Sequence, residues 1–447
     1  MADNSVVENT AALLDQVWDR RLDVRVRRMN GALVLRRGAD TMRVPAARSW
    51  LWTALDGRST VSDLIGAGDP DEVRSTLEEL VRGGFLSPAE PEPPTVGAIP
   101  EKRFIAGVLG RFADTARAGA FEDCVVIDVG DAALVLNIDH PGRVRGTPTD
   151  RAGYEFYGRW IAAAVCSDVI SMGVPPLGVV VDLQVSGDTR VDAVEWLYQG
   201  MRAQLDSYGA GLAGGNLNAG PLDVVAAAWG LGVPDRLVRR GGARAGDVVI
   251  ATCTLGRGWA RHLLERSGDL ERVAPGLVAE AEAYATGIRT PMEPILECAR
   301  RGLLTSGMDL SDGVLEFCHG IDQRGRLGVV IDAAGLGRHP LIERAAELLG
   351  VDRALFALDP GFDFPYAHGY TVAPDRLAEL RSVFADHEVP ITEVGRVCPE
   401  RGVRIRRADG ELRPVPPFHD DQTYTAAARV GAWYALAGAV NGRKGAR

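Results

Sequence analysis

Four prolines fall within seven residues in Pro88-Ala89-Glu90-Pro91-Glu92-Pro93-Pro94. Proline fixes φ and removes a backbone donor. Neither a helix nor an inner strand can run through this stretch, which is read as a stiff, extended linker. The chain must therefore fold as separate bodies on its two sides. The expected divisions are a module at 1–88, a linker at 89–100, domains at 101–237 and 238–425, and a C-terminal helix or tail at 426–447. A length of 447 residues suits this, since roughly 150 residues per module predicts about three.

Within the first module, positions 5–19 are read as a short helix or a partly disordered lead. Val24-Arg25-Val26 alternates, Leu33-Val34-Leu35 follows Asn30-Gly31, and Thr41-Met42-Arg43-Val44 follows Gly38. An Asn-Gly pair between strand-like runs signals a hairpin, so a three-stranded meander is predicted. Pro45 suits the start of a helix, expected over 46–55 with Trp50 and Leu51 on its apolar side. Further helices are predicted near Val61–Ile65 and over Asp71–Arg82, where Val73, Leu77, Leu80 and Val81 recur at helical spacing. Gly83-Gly84 stops the last, and Gly84-Phe85-Leu86 closes the module as a strand or apolar anchor.

This order is winged-helix-like. Through Gly31-Ala32-Leu33-Val34-Leu35, Val44-Pro45, Trp50-Leu51-Trp52-Thr53-Ala54-Leu55-Asp56-Gly57 and Leu77-Glu78-Glu79-Leu80 it resembles the PqqD-like peptide-recognition domain. That resemblance implies a partner: the leader of a ribosomally made precursor peptide, bound as an added strand in a groove against the last helix. Asp71, Glu72, Glu78 and Glu79 on the third predicted helix argue against a DNA-binding winged helix.

The formal net charge of −10 likewise disfavours nucleic acid. Cys124, Cys166, Cys253, Cys298, Cys318 and Cys398 are scattered without a Cys-x-x-Cys pair. They read as reduced thiols of a cytoplasmic protein, not a zinc site or disulfide framework. There is no apolar signal core at the N-terminus, and no apolar run is long enough to suggest a membrane span.

Beyond the linker, Phe104–Ala116 is a predicted helix, and Phe121–Ile127 and Ala133–Asp139 are predicted strands, the first opened and the second closed by acids. Helices are expected over Tyr157–Met172 and Val191–Tyr208, with strands at Leu177–Leu183 and Val224–Gly232. Arg239–Asp247 marks a change of domain. After it come a strand at Val248–Thr252, a glycine loop at Leu255-Gly256-Arg257-Gly258 leading into a helix, and a strand at Val329–Asp332. Helices near 340–349 and 374–387 and a hairpin turning at Asp409-Gly410 complete the pattern.

In Met308-Asp309-Leu310-Ser311-Asp312-Gly313 two carboxylates stand three residues apart before an apolar helical run. Asp and Ser at a strand-to-helix junction serve as caps for free backbone N–H groups. The same pattern also suits Mg²⁺ and phosphate, because Mg²⁺ takes hard oxygen ligands from one or two carboxylates plus substrate phosphates.

Six stretches in one order resemble the aminoimidazole-ribotide synthetase superfamily, most closely the thiamine-monophosphate kinases. They are Glu122-Asp123-Cys124-Val125-Val126, Asn137-Ile138-Asp139, Ser167-Asp168-Val169-Ile170-Ser171-Met172-Gly173-Val174-Pro175-Pro176, Ala213-Gly214-Gly215-Asn216, Arg240–Asp247 and Asp309–Gly313. The resemblance covers about residues 101–420. It implies two PurM-like α+β domains, a homodimer through the first, and a nucleotide cleft. It implies further that Glu122, Asp123, Asp139, Asp168, Asp309 and Asp312 converge on Mg²⁺ and ATP phosphates. Asp123, Asp139, Asp168, Asp309 and Asp312 would be the metal ligands, Asp309 and Asp312 the catalytic pair, and Gly214, Gly215 and Asn216 further cofactor contacts. Acids at a phosphate site need metal between them and the phosphate. Two departures stand out. Asn216 replaces an acid, and Asp359–Tyr366 replaces the acidic substrate loop, with Asp363 the match for its acid. His319 is read as a packed or capped residue, and His140 and His262 are left without a role.

The expected function joins the two halves: ATP- and Mg²⁺-dependent modification of a precursor peptide, by phosphoryl activation of an amide oxygen followed by dehydration or cyclisation. The alternatives are a thiamine-monophosphate-kinase-like phosphotransferase, leaving a stable phosphate on a peptide or small molecule, and an inactive leader-presenting scaffold.

Overall fold

The computed structural model describes residues 17–21, 24–29, 32–37, 40–88, 122–142, 146–325, 327–416 and 426–441. Its contacts divide the chain into two units, the smaller within the first 120 residues and the larger from residue 121 onward. The predicted helix at 104–116 and the linker at 89–100 lie outside the described residues.

In the smaller unit, β1 (Val17–Arg20) precedes a meander of β2 (Arg25–Met29), β3 (Ala32–Arg37) and β4 (Asp40–Val44). The meander registers as Met29↔Ala32 and Leu33↔Val44. A 3₁₀ turn at Ala46–Arg48 leads into α1 (Ser49–Ala54), then β5 (Asp56–Thr60), α2 (Val61–Gly66), α3 (Pro70–Arg82) and β6 (Leu86–Pro88). Thr60 and Asp63 form a reciprocal capping box on α2. Asp69 accepts from the N–H groups of Asp71 and Glu72 at the start of α3.

Two expectations are corrected here. Residues 17–19 are strand, not helix, because β1 pairs with β5 and β6, which lie far along the chain, and buries Trp18. The rest of that predicted helix falls outside the described residues. Trp50 is exposed and lies over Gly68, while Trp52 takes the core position beside Leu51.

The larger unit opens with β7 (Val125–Val129), β8 (Ala132–Asp139), α4 (Arg151–Ser171), β9 (Pro176–Val185), α5 (Val191–Tyr208), β10 (Gly211–Ala219) and β11 (Asp223–Gly232). The strands form one sheet in the order β10-β9-β11-β8-β7. One sheet face packs on α4 and contributes Val126, Val135, Val181 and Ala228 to the core. Helices α4 and α5 approach to backbone contact: a Cβ on Gly158 would stand 1.9 Å from the Leu197 carbonyl oxygen, and one on Gly200 2.0 Å from that of Glu155. The other sheet face leaves Val125, Ile138, Leu177, Val180 and Leu231 exposed.

The second half contains β12 (Val248–Thr252), α6 (Arg257–Ser267), α7 (Pro275–Gly287), α8 (Met292–Arg300), β13 (Ser306–Asp309), α9 (Val314–Gly325), β14 (Gly328–Asp332), α10 (Pro340–Leu349), β15 (His368–Val372), α11 (Leu377–Asp386), β16 (Ile391–Cys398), β17 (Gly402–Arg406), β18 (Leu412–Pro414) and α12 (Ala426–Asn441). Seven strands make a sheet in the order β13-β15-β12-β16-β14-β17-β18. The α12 helix is built into this core, where Trp433 is fully buried and its indole N–H donates to the Leu355 carbonyl at 3.0 Å. The PurM-like two-domain α+β architecture is present. Among the described residues, no helix is long and apolar enough to cross a membrane.

Candidate functional site

Strand β13 ends at Asp309, which registers against His368 of β15. The chain then turns sharply before α9. Gly313 takes φ +84°, and a Cβ there would stand 2.1 Å from the Asp359 carbonyl oxygen, so only glycine fits. Asp168 projects from α4, and Asp123 stands just before β7. These three elements bring carboxylate oxygens of Asp123, Asp168 and Asp309 within 4.8 Å of one another.

Short hydrogen bonds hold the group. Asn137, on the buried face of β8, donates to Asp168 Oδ2 at 2.5 Å. Ser171 Oγ donates to Asp123 Oδ2 at 2.5 Å, and the Asp309 N–H to the same oxygen at 3.3 Å. Ser311 Oγ reaches Asp309 Oδ1 at 3.1 Å. Ser167 Oγ lies 3.4 Å from Asp309 Oδ2 and 3.1 Å from Nε2 of His368, which is fully buried. The Arg240 guanidinium pairs with Asp123 and is the positive charge in the group. The Arg240 N–H donates to Glu122 Oε2 at 2.8 Å, so Glu122 secures the loop that delivers the arginine.

Carboxylates gathered away from water resist ionisation. Burial, then the charges of Asp123 and Asp312, pushes the Asp309 carboxyl up to about 7 despite Arg240. Burial, with Asp309, Asp123 and Asp139 nearby, raises that of Asp168 well above the usual carboxylate range. Burial likewise holds the His368 imidazole down at about 4, so it is neutral.

The other predicted site residues are distributed differently. Asp139 ends β8 within electrostatic reach of Asp168, and its Oδ1 accepts from the His140 N–H at 2.7 Å. Asp312 is exposed and acts on Asp309 through its charge. Neither belongs to the three-acid cluster. Gly214, Gly215 and Asn216 lie in β10, the edge strand of the first sheet. Asn216 donates to Asp182 Oδ1 at 3.0 Å on the exposed face, opposite to the one that carries Asn137. Asp363 is buried, and both its oxygens accept backbone N–H groups from Gly256 and Gly258, so it anchors the glycine loop before α6. His319 is buried on α9, His262 stacks on Trp259 with Phe362 against both rings, and His140 pairs with Asp223 at 2.6 Å.

Arg240, Asn137, Ser167, Ser171 and His368 were not expected at the cluster. All but His368 stand in stretches that carried the superfamily resemblance, which was the only signal that could have drawn attention to them.

Residues 121–232 match the model of the AIR synthase related protein N-terminal domain, and residues 244–407 that of the C-terminal domain. The thiamine-monophosphate kinase of Synechococcus elongatus is 33% identical over 255 residues, covering 56% of this chain and 74% of that protein. The one from Halobacterium salinarum is 30% identical over 302 residues, covering 65% and 91%. A solved structure of AaThiL complexed with AMPPCP and TMP aligns with a TM-score of 0.56 at 24% identity, covering 71% of this chain and 96% of that one. These relatives overturn the expectation of leader-guided peptide modification, because they are named for phosphorylating a small molecule. They favour the phosphotransferase alternative, and enzymatic activity over an inactive scaffold. The chain therefore belongs to the AIR synthase-related family, in which its relatives are thiamine-monophosphate kinases.

Proposed function

We propose that the chain is an ATP- and Mg²⁺-dependent phosphotransferase acting on a small molecule, of the thiamine-monophosphate kinase type. The observation that carries this reading is the three-acid cluster of Asp123, Asp168 and Asp309 within 4.8 Å. Three hard oxygen donors face one guanidinium, and two of the carboxyls are raised by burial. Such a set is short of positive charge and suits a divalent cation that prefers oxygen. Asp123, Asp168 and Asp309 would hold Mg²⁺, which would supply positive charge against the phosphates. Asn137 and Ser171 would orient the ligand oxygens, and Asp139 and Asp312 would be further acids of the site, Asp312 on its exposed side. Nucleotide binding is supported by the kinase name of the relatives and by the nucleotide analogue in the AaThiL structure.

We also propose a homodimer. The exposed face of the five-stranded sheet carries Val125, Ile138, Val180 and Leu231, an apolar surface that a second copy would cover. Divisions at 101–237 and 238–425 remain the proposed domains, with α12 packed into the core of the second. The PqqD-like reading of residues 1–88 is kept for fold alone, supported by the β2–β3–β4 meander and the helices after it.

The test is to incubate purified protein with ATP, Mg²⁺ and thiamine monophosphate and to follow ADP release and product mass. Gain of one phosphoryl group is expected, dependent on Mg²⁺ and lost in Asp309→Asn. ATP consumption without a phosphorylated thiamine product would move the acceptor to another small molecule. Absence of Mg²⁺-dependent ATP consumption would remove the reading.

A further inference from the structure

The geometry points to a second binding site, metal-free and selective for a phosphate monoester, in a basic groove on the seven-stranded sheet. The inference stands apart from the kinase reading. On one side of this sheet, α11 covers the region around β12 and β15, where Leu380, Val383 and Phe384 pack with Val248, Ile250, Tyr370 and Val372. Beyond α11 the same side, over β16, β14 and β17, opens into a groove of about 590 Å³. That size lies within the roughly 300–1,000 Å³ of small-molecule pockets.

The groove is basic in a chain whose formal net charge is −10. Its charged lining is Arg338, Arg381, Arg396 and Arg406 against Asp332 and Glu393. Most of these have internal work. Arg381 pairs with Glu393. Arg338 donates through Nε and Nη2 to the Ala334 carbonyl at 3.1 and 2.9 Å. Asp332 Oδ1 accepts from the Ala334 N–H at 3.1 Å. Arg396 and Arg406 remain: among the described residues neither side chain forms an ion pair or hydrogen bond.

Register puts these two on one surface. Arg396 of β16 stands opposite Val330, and Arg406 of β17 opposite Asp332, with Val330 and Asp332 two residues apart on β14. The two arginines therefore flank β14 from either side, about 12 Å apart counting two strand spacings across and two residues along, within reach of a single group for side chains of this length. Guanidinium forks match the oxygens of a phosphate, and arginine keeps its charge at any working pH. The remaining lining includes the apolar Leu255, Val330 and Ile391 and the hydroxyl-bearing Thr254 and Thr392. A phosphate ester with an apolar body fits that combination better than a bare ion.

This is not the phosphate region of the acidic cluster. Strand β13, which carries Asp309, is separated from β14 by β15, β12 and β16, a span of about 19 Å at ordinary strand spacing.

The experiment titrates inorganic phosphate, and separately phenyl phosphate, into the full chain in EDTA, with ionic strength held by NaCl, and follows heat of binding and melting temperature. Without metal, the acidic cluster repels either probe. Saturable binding is expected, tighter for phenyl phosphate. It should weaken tenfold or more in the double variant Arg396→Met, Arg406→Met and stay unchanged in Asp309→Asn. Both arginines are exposed, so the double variant folds, which its melting temperature in NaCl alone will verify. Lack of saturable binding, undiminished binding in the double variant, or weakened binding in Asp309→Asn would each overturn the proposal.

Discussion

Two groups of buried aspartates in the larger unit differ in what surrounds their oxygens. Asp359 and Asp363 are 3% and 1% exposed, and backbone N–H groups converge on them. Gly256 and Gly258 donate to Asp363, and Gly361 and Phe362 to Asp359 at 2.6 and 3.0 Å. Asp309 is as deeply buried, at 2%. It meets serine hydroxyls and the carboxylates of Asp123 and Asp168 instead, with Arg240 as counter-charge. Buried carboxylates that satisfy backbone donors close loops. Asp359 and Asp363 also face each other and are raised by burial, but two backbone donors hold each of them. The oxygens of Asp123, Asp168 and Asp309 converge mainly among side-chain donors and so suit a cation. The same residue type at the same depth thus serves architecture in one place and chemistry in the other.

The largest effect should separate the two groups by activity. Asp309→Asn should lower Mg²⁺-dependent phosphotransfer about a thousandfold, on the order of 4 kcal/mol of barrier. Its melting temperature in EDTA should hold or rise, because a repelling charge is removed. A variant that melts earlier in EDTA would erase the distinction.

Arg240→Met leaves Asp123, with a side chain 1% exposed, without its buried partner. Breaking such a pair costs about 3–5 kcal/mol. The loss should appear as a lower melting temperature in EDTA and be largely recovered by millimolar Mg²⁺, since both cations answer the same carboxylate. Equal loss with and without Mg²⁺ would show that Arg240 serves the fold alone.

Titration sharpens the contrast next. The Asp309 carboxyl, raised from its ordinary value of 3.8 to about 7, binds its proton more tightly folded than unfolded. Stability in EDTA should therefore fall as pH rises from about 4 through about 7, with Asp168 acting in the same direction. The effect should amount to a few kcal/mol at about 1.4 kcal/mol per pH unit. Mg²⁺ should flatten the profile. A metal-free melting temperature that rises across this window would count against the cluster.

The smallest effect belongs to the architectural pair. Asp363→Asn keeps one acceptor oxygen for two backbone donors, so one N–H loses its partner, at about 1–3 kcal/mol. Melting should drop with and without Mg²⁺ alike, and turnover per folded molecule should hold. Selective loss of turnover would make Asp363 part of the reaction.

Much of the frame was legible along the chain. The strand over Ala133–Asp139, the helix over Asp71–Arg82 to within a residue, and the Asp309–Gly313 turn all follow from short-range rules. Strand β1 was not, because its partners β5 and β6 follow at residues 56–60 and 86–88. Strands β15 and β16, fully buried in part and without clean alternation, were not assigned from pattern either. The candidate site divides the same way. The Asp309 stretch was singled out by its own pattern and Asp123 and Asp168 by the superfamily resemblance, whereas Arg240 at the cluster and Asn216 facing away from it were not anticipated.

The sequence by itself determined the elements, because strand and helix periods, caps and glycine turns are set by neighbours within a few residues. It also settled which acids were available. Only the tertiary structure decided what each acid meets. A carboxylate becomes a loop anchor or half of a cation site through donors more than a hundred residues away, as with Asp363 and Gly256 or Asp123 and Arg240. No local pattern encodes that distance.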